Sequence, residues 1–172
     1  SPSSTGTLTY KPVANANGTA EIEATVRESG GLTTTRSFQV TVQPVNDPPT
    51  IDPISDVNIQ EDAQKTTLPI SGVSPGPKES QDLNISASSD NQSLIESPTV
   101  KYTNPDSTGS LFFTPKPDAN GDATITVSVD DGADENPTTS RSFNVTVEPV
   151  NDPPVFVPPT PDSTLTTEES ER

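Results

Sequence analysis

Residues 140–154 read SRSFNVTVEPVNDPP. Apolar and polar side chains alternate through the first half: Phe143, Val145 and Val147 fall on one face, Ser142, Asn144 and Thr146 on the other. A period of two is the pattern of a β-strand with one face buried and one wet. Pro149 then begins the hexapeptide PVNDPP. Proline has no N–H to give a sheet and holds φ near −65°, and the residue before it is driven extended. The strand therefore ends there, and the hexapeptide reads as a short, stiff joint.

The same reading occurs twice. TTTRSFQVTVQPVNDPP at 33–49 matches TTSRSFNVTVEPVNDPP at 138–154, and TGTLTYKPVANANGTAEIEATV at 5–26 matches TGSLFFTPKPDANGDATITVSV at 108–129. Aligning 5–29 with 108–132 gives 10 identities in 25 positions, and 33–50 with 138–155 gives 14 in 18. The offsets, 103 and 105 residues, set a unit of about 104, the size of a seven-stranded sandwich. The chain is out of phase with that unit. Residues 1–49 are expected to be the C-terminal half of one repeat (its last three strands, E–G), 50–154 a complete repeat, and 155–172 the linker and first strand of a third.

Alternation and turn residues divide the complete repeat into seven strands, A at 51–60, B at 66–73, C at 82–88, D at 94–103, E at 109–114, F at 123–129 and G at 141–148. Asp90-Asn91, Asn120-Gly121 and Asp131-Gly132 supply turns between them. The expected fold is all-β: antiparallel, seven-stranded, immunoglobulin- or cadherin-like β-sandwiches in tandem. An apolar fraction of 27% is low for a globular chain, but a sandwich needs only alternate residues inward. With strands A–D missing from residues 1–49, Leu8, Tyr10, Ile22, Val26, Phe38, Val40 and Val42 have no facing sheet. Another polypeptide segment is expected to complete them.

Composition narrows the function. The net charge is −16. Nucleic acid and anionic membrane surfaces select basic chains, so neither is an expected partner. With no Cys there is no disulfide, thiolate or Cys-based zinc site, and with no His the usual general base near neutrality is absent. No GxSxG, no glycine-rich phosphate loop and no paired nucleophile and base occur, so no catalytic residues are assigned and the chain is read as non-enzymatic. No apolar run approaches the roughly 18 residues of a membrane span. Residues 1–10 lack a signal peptide's basic and apolar regions, so export would depend on a signal outside this stretch.

FNVTVEPVNDPP, the Glu61-Asp62-Ala63 following strand A, and PDANGDATITVSVDDG together resemble bacterial immunoglobulin-like, cadherin-like tandem repeats of large surface and secreted proteins. The resemblance spans the chain. It implies an extracellular or cell-surface location and a spacer or adhesive role, with neighbouring repeats or other copies in a fibre as partners. In such a sandwich, loops A–B and E–F meet the outgoing linker at the C-terminal pole, which gathers Glu61, Asp62, Asp118, Asp122, Asn151 and Asp152. The opposite pole gathers Glu79, Asp82, Asp130, Asp131 and the incoming Asn46-Asp47. Calcium takes six to eight oxygen ligands, many of them carboxylate, and would stiffen such a joint. The other reading is that these acids are turn residues in water: Asp118 and Asp122 correspond to Asn15 and Thr19 in the preceding repeat, while Gly121 and Gly18 persist. The leading expectation is a structural spacer or stalk. The alternative is an adhesive module recognising a glycan or another copy of the chain.

Overall fold

The computed structural model describes residues 5–154 and 156. It is all-β. The strands are β1 (Gly18–Arg27), β2 (Thr33–Val42), β3 (Val57–Gln60), β4 (Thr66–Ile70), β5 (Asn84–Ser89), β6 (Thr99–Lys101), β7 (Gly109–Phe113), β8 (Gly121–Asp130) and β9 (Thr138–Glu148). They form three sheets: the hairpin β1-β2, a four-stranded sheet in the order β3-β9-β8-β5, and a three-stranded sheet in the order β4-β7-β6. No helix of the described residues is long and apolar enough to cross a membrane. The first strand expected for a third repeat lies, Phe156 apart, outside the described residues.

The two larger sheets share one core. In β8 the alternation is complete, with Ala123, Ile125, Val127 and Val129 buried and the residues between them half-wet. In β9, Phe143, Val145 and Val147 do the same. Opposite them sit Ile70, Leu111 and Phe113 from the second sheet, with Ile51, Val73, Leu83, Leu94 and Ile95 closing the ends. The outward face is stitched by hydroxyls, Thr126 to Ser142 and Ser128 to Ser140, each at 2.8 Å. Such cross-strand polar pairs suit a solvated face.

One pairing corrects the antiparallel expectation: β3 runs parallel to β9, Val57 opposite Val145 and Gln60 opposite Glu148. The expected single strand at 51–60 is in fact split between the sheets. Residues 50–52 lie along the end of the β4 side, through Thr50 N to Ser74 O at 2.8 Å and Asp52 N to Ser71 O at 2.9 Å. Pro53, which has no N–H to continue a ladder, follows, and the chain crosses to β9. Gly72 permits the close approach: its φ is +68°, and an added Cβ would collide with the Asp52 carboxylate. The expected strand at 94–103 shrinks to Thr99–Lys101. Asn91 O instead accepts from both Leu94 N (3.1 Å) and Ile95 N (2.9 Å), making a turn that still buries both side chains.

The hairpin repeats β8-β9 in register as well as in sequence. Gly18 faces Val42 and Ile22 faces Phe38, as Gly121 faces Val147 and Ile125 faces Phe143. The backbone turns also match: φ is 54° at Asn15 and 53° at Asp118, 120° at Gly18 and 128° at Gly121. Burial differs. Val26 is 73% exposed and Phe38 42%, whereas Val129 and Phe143 are at 0% and 3%. Residues 5–10, expected as a third strand, are not in a strand. Their counterpart β7 is held between β4 and β6, and no such flanking strands exist among described residues 5–49. A two-stranded ribbon alone is marginal in water, so covering this face would strengthen it.

The contrast is measurable. Ile125→Ala should lower the unfolding free energy of the 50–154 unit by about 2–5 kcal/mol. Ile22→Ala at the matched position should move that transition by less than about 0.5 kcal/mol. Denaturant titrations followed by circular dichroism compare the two, and equal losses would mean that the hairpin face is already covered.

Candidate functional site

The chemistry of this chain gathers at the two ends of the sandwich. At the C-terminal end, three of the six expected residues come together: carboxylate oxygens of Asp62, Asp118 and Asp152 lie within 4.8 Å of one another, all exposed. Their placement is local. Asp62 and Asp118 both sit in left-handed turns (φ 62° and 53°) that short polar residues tolerate, and Asp118 N donates to Asp62 Oδ1 at 3.1 Å. Asp152 arrives with the outgoing linker. Its carboxyl is pushed above the ordinary range by desolvation, then by the charges of Asp118, Asp62 and Glu61.

The other three expected residues have separate tasks. Glu61 is buried and fully engaged. Its Oε2 accepts from Asn120 Nδ2 at 3.0 Å and its Oε1 from Val150 N at 2.6 Å. Its own N–H donates to Glu148 O at 2.8 Å. One side chain thus ties the β3-β4 turn, the β7-β8 loop and the outgoing linker together. The two donated bonds hold its carboxyl below the ordinary range, that from Asn120 foremost. Asp122 lies in β8 and accepts from Thr146 Oγ1 at 2.7 Å. Asn151 Nδ2 donates to Asp152 O at 3.2 Å. Asn120, read in the sequence only as a turn residue, is a partner of Glu61.

At the opposite end the incoming linker is docked. Asn46 Nδ2 donates to Asp131 Oδ2 at 3.1 Å and to Glu135 O at 3.0 Å, and Asn46 Oδ1 accepts from Gln81 Nε2 at 2.8 Å. Asp47 N donates to Glu79 Oε1 at 2.8 Å. Gln81 Nε2 reaches Glu79 Oε2 at 3.2 Å, and Asp131 Oδ1 also accepts from Ala133 N at 3.0 Å. Asp131 is 5% exposed, and its carboxyl oxygens are met by donated hydrogen bonds from Asn46 and Ala133. Asp130, also expected at this pole, accepts from Gly132 N at 2.7 Å.

The one aromatic that alternation places outward in a strand, Phe112, is covered: the Lys65 ammonium lies 3.9 Å from its ring centroid.

No protein-family model and no curated protein matches the sequence. Among solved structures, domains 1–6 of the surface layer protein SbsC align over 79% of this chain at 19% identity with a TM-score of 0.45, the chain spanning 17% of that structure. The titin M3 domain aligns over 58% of this chain and 96% of its own length, at 17% identity and a TM-score of 0.40. An endo-fucoidan hydrolase of glycoside hydrolase family 107 aligns over 81% of this chain and 20% of its own length, at 16% identity and a TM-score of 0.39. Likeness at this level carries no inference of function.

The two carboxyls give opposite pH signatures in metal-free buffer. Glu61, with a lowered folded pKa, adds stability above the ordinary carboxylate range, and that contribution is lost as pH falls through its folded value. Asp152, with a raised pKa, takes up its proton first, which relieves the repulsion among the three aspartates. Carbon-detected carboxyl titrations should show Asp152 titrating at a higher pH than Glu61; the reverse order would refute the assignment. Glu61→Gln should lower the melting temperature at neutral pH.

Proposed function

We propose that this chain is a non-enzymatic spacer segment of an extracellular or cell-surface protein, built from immunoglobulin-like units in tandem and held stiff at the joints. The observation that carries the reading is the docked linker. The hexapeptide at 44–49 joins a hairpin of β8-β9 type to a sandwich containing β8-β9 itself, and it is fixed on arrival by Asn46, Asp47 and a fully buried Pro49. A joint that is proline-rich and hydrogen-bonded transmits orientation, which a stalk or fibre needs and a loose tether lacks. The lack of His and Cys and of any catalytic signature supports the non-enzymatic part. The alternative is an adhesive module for a glycan or for another copy; in the sandwich its strand aromatic Phe112 is covered by Lys65, while Phe38 of the hairpin is 42% exposed.

Calcium at the C-terminal end belongs to this proposal as its second part. Asp62, Asp118 and Asp152 offer hard oxygen donors of the type calcium prefers. A bound cation would supply the charge that relieves their mutual repulsion and stiffens the outgoing linker; Glu61, already engaged by two N–H donors, would support it from behind.

Small-angle scattering of the full chain should show an elongated particle whose high-angle decay is that of a folded body, unaltered by added salt; the profile of a flexible coil would overturn the spacer reading. Calorimetry should detect calcium binding in the range of roughly 10⁻⁴–10⁻³ M typical of extracellular sites, lost in Asp118→Asn. No heat and no rise in melting temperature with calcium would remove the metal while leaving the spacer intact.

A further inference from the structure

The hexapeptide PVNDPP occurs at 44–49 and again at 149–154, and the two copies stand in different surroundings. At the first, Asn46 and Asp47 are half-buried and Pro49 is fully buried. At the second, Asn151, Asp152, Pro153 and Pro154 are all exposed. The same hexapeptide is thus partly buried where it meets the sandwich at 44–49 and exposed at 149–154.

The receiving surface is specific. Three elements far apart in the chain build it: the segment 76–81, the β8-β9 turn at 131–135, and the linker itself. Gly76 is its floor. With φ at +132°, a side chain there would be strained, and an added Cβ would lie 3.1 Å from Asp47 Cβ and 2.7 Å from Glu79 Oε2. Around it the polar groups fit an amide and nothing simpler. Asp131 Oδ2 and Glu135 O both accept from Asn46 Nδ2, while Gln81 Nε2 donates to Asn46 Oδ1. A carboxylate at position 46 would meet two acceptors, and an aliphatic side chain would leave the nearly buried Asp131 one donor short. Glu79 adds the bond from Asp47 N.

We propose that Asn46 and Asp47 form a latch, and that Glu79, Gln81, Asp131 and the Glu135 carbonyl form its socket. Together they set the angle between the β1-β2 hairpin and the 50–154 sandwich without any metal ion. The inference rests on the spacer reading and names the device by which this joint is stiff. The latch confines bending to residues 43–45, between the end of β2 and Asn46. A cleft lies there, lined by residues 12–17 on the hairpin side and 77–81 on the sandwich side.

The chain has no cysteine, so Glu23→Cys and Lys101→Cys, both at exposed strand positions, give two spin-label sites spanning the joint. Pulsed dipolar distances should be narrow in the otherwise natural chain and unchanged by a chelator. Asn46→Ala combined with Glu79→Ala lengthens the free pivot from residues 43–45 to 43–48. The distribution should then widen, because a longer released pivot samples more orientations. Asn46→Asp, which keeps the size and reverses the amide's donors, should widen it in the same direction, with the 50–154 unit still giving dispersed amide signals. Asn151→Ala, on the far side of the sandwich, should leave the distance unchanged. Equal widths in the variants and the natural chain would overturn the latch and leave the spacer standing. Broadening by chelator to the double variant's width would assign the stiffness to a metal and overturn it as well. A natural chain already as broad as the double variant would refute both the latch and the stiff spacer.

Discussion

Everything in this fold hangs on one contact layer, the inward faces of β8 and β9 pressed against Leu111, Phe113 and Ile70. Those side chains are 0–4% exposed, in a chain whose apolar content is only 27%. A sandwich spends each large apolar residue on a single shared interface, so a polar sequence can still bury a continuous core. The turns then follow from the strands they must connect. The poles follow in turn, because every loop of a sandwich ends at one of two places.

The hairpin at 18–42 displays the same principle by omission. It has the register of β8-β9, the backbone turn that precedes the first strand, and the counterpart of one hydroxyl pair, Thr25 Oγ1 to Thr35 Oγ1 at 2.9 Å. It lacks the opposing layer, and Val26 and Phe38 are consequently 73% and 42% exposed. Local pattern builds the ribbon; only a facing sheet makes its apolar side a core.

How much of this was legible beforehand divides along sequence distance. The strands β8 and β9, the outward Ser and Thr rows and the turn at Asn120-Gly121 were readable because each depends on neighbours a few residues away. The split of the first strand was not. It is decided where Thr50 meets Ser74 and where Val57 meets Val145, and nothing in residues 50–60 announces either partner beyond Pro53. The C-terminal cluster was half legible: counting acids at one pole found Asp62, Asp118 and Asp152, but could not tell that Glu61 would be engaged by Asn120 and Val150 or that Asp122 would turn to Thr146. What the amides bond to was the systematic omission: position placed Asn46 at a pole and Asn120 in a turn, but did not give the groups they engage. Asn46, Asn104 and Asn120 each join segments remote in sequence, Asn104 by exchanging two 2.9 Å bonds with the Leu83 backbone. A side-chain amide with no charge and no periodicity leaves no trace in a pattern.

The parallel pairing of β3 with β9 also determines how the sandwich bears load. The chain runs into β3 at its N-terminal end and out of β9 at its C-terminal end, so tension passed along it to this pair pulls the adjacent strands in opposite directions along their own axes. The ladder from Val57–Val145 to Gln60–Glu148 is then sheared as a block, its hydrogen bonds resisting together. An antiparallel pair joined at one end would instead be peeled open one bond at a time. The departure of β3 from the antiparallel rule turns the β3-β9 seam into a tensile clamp.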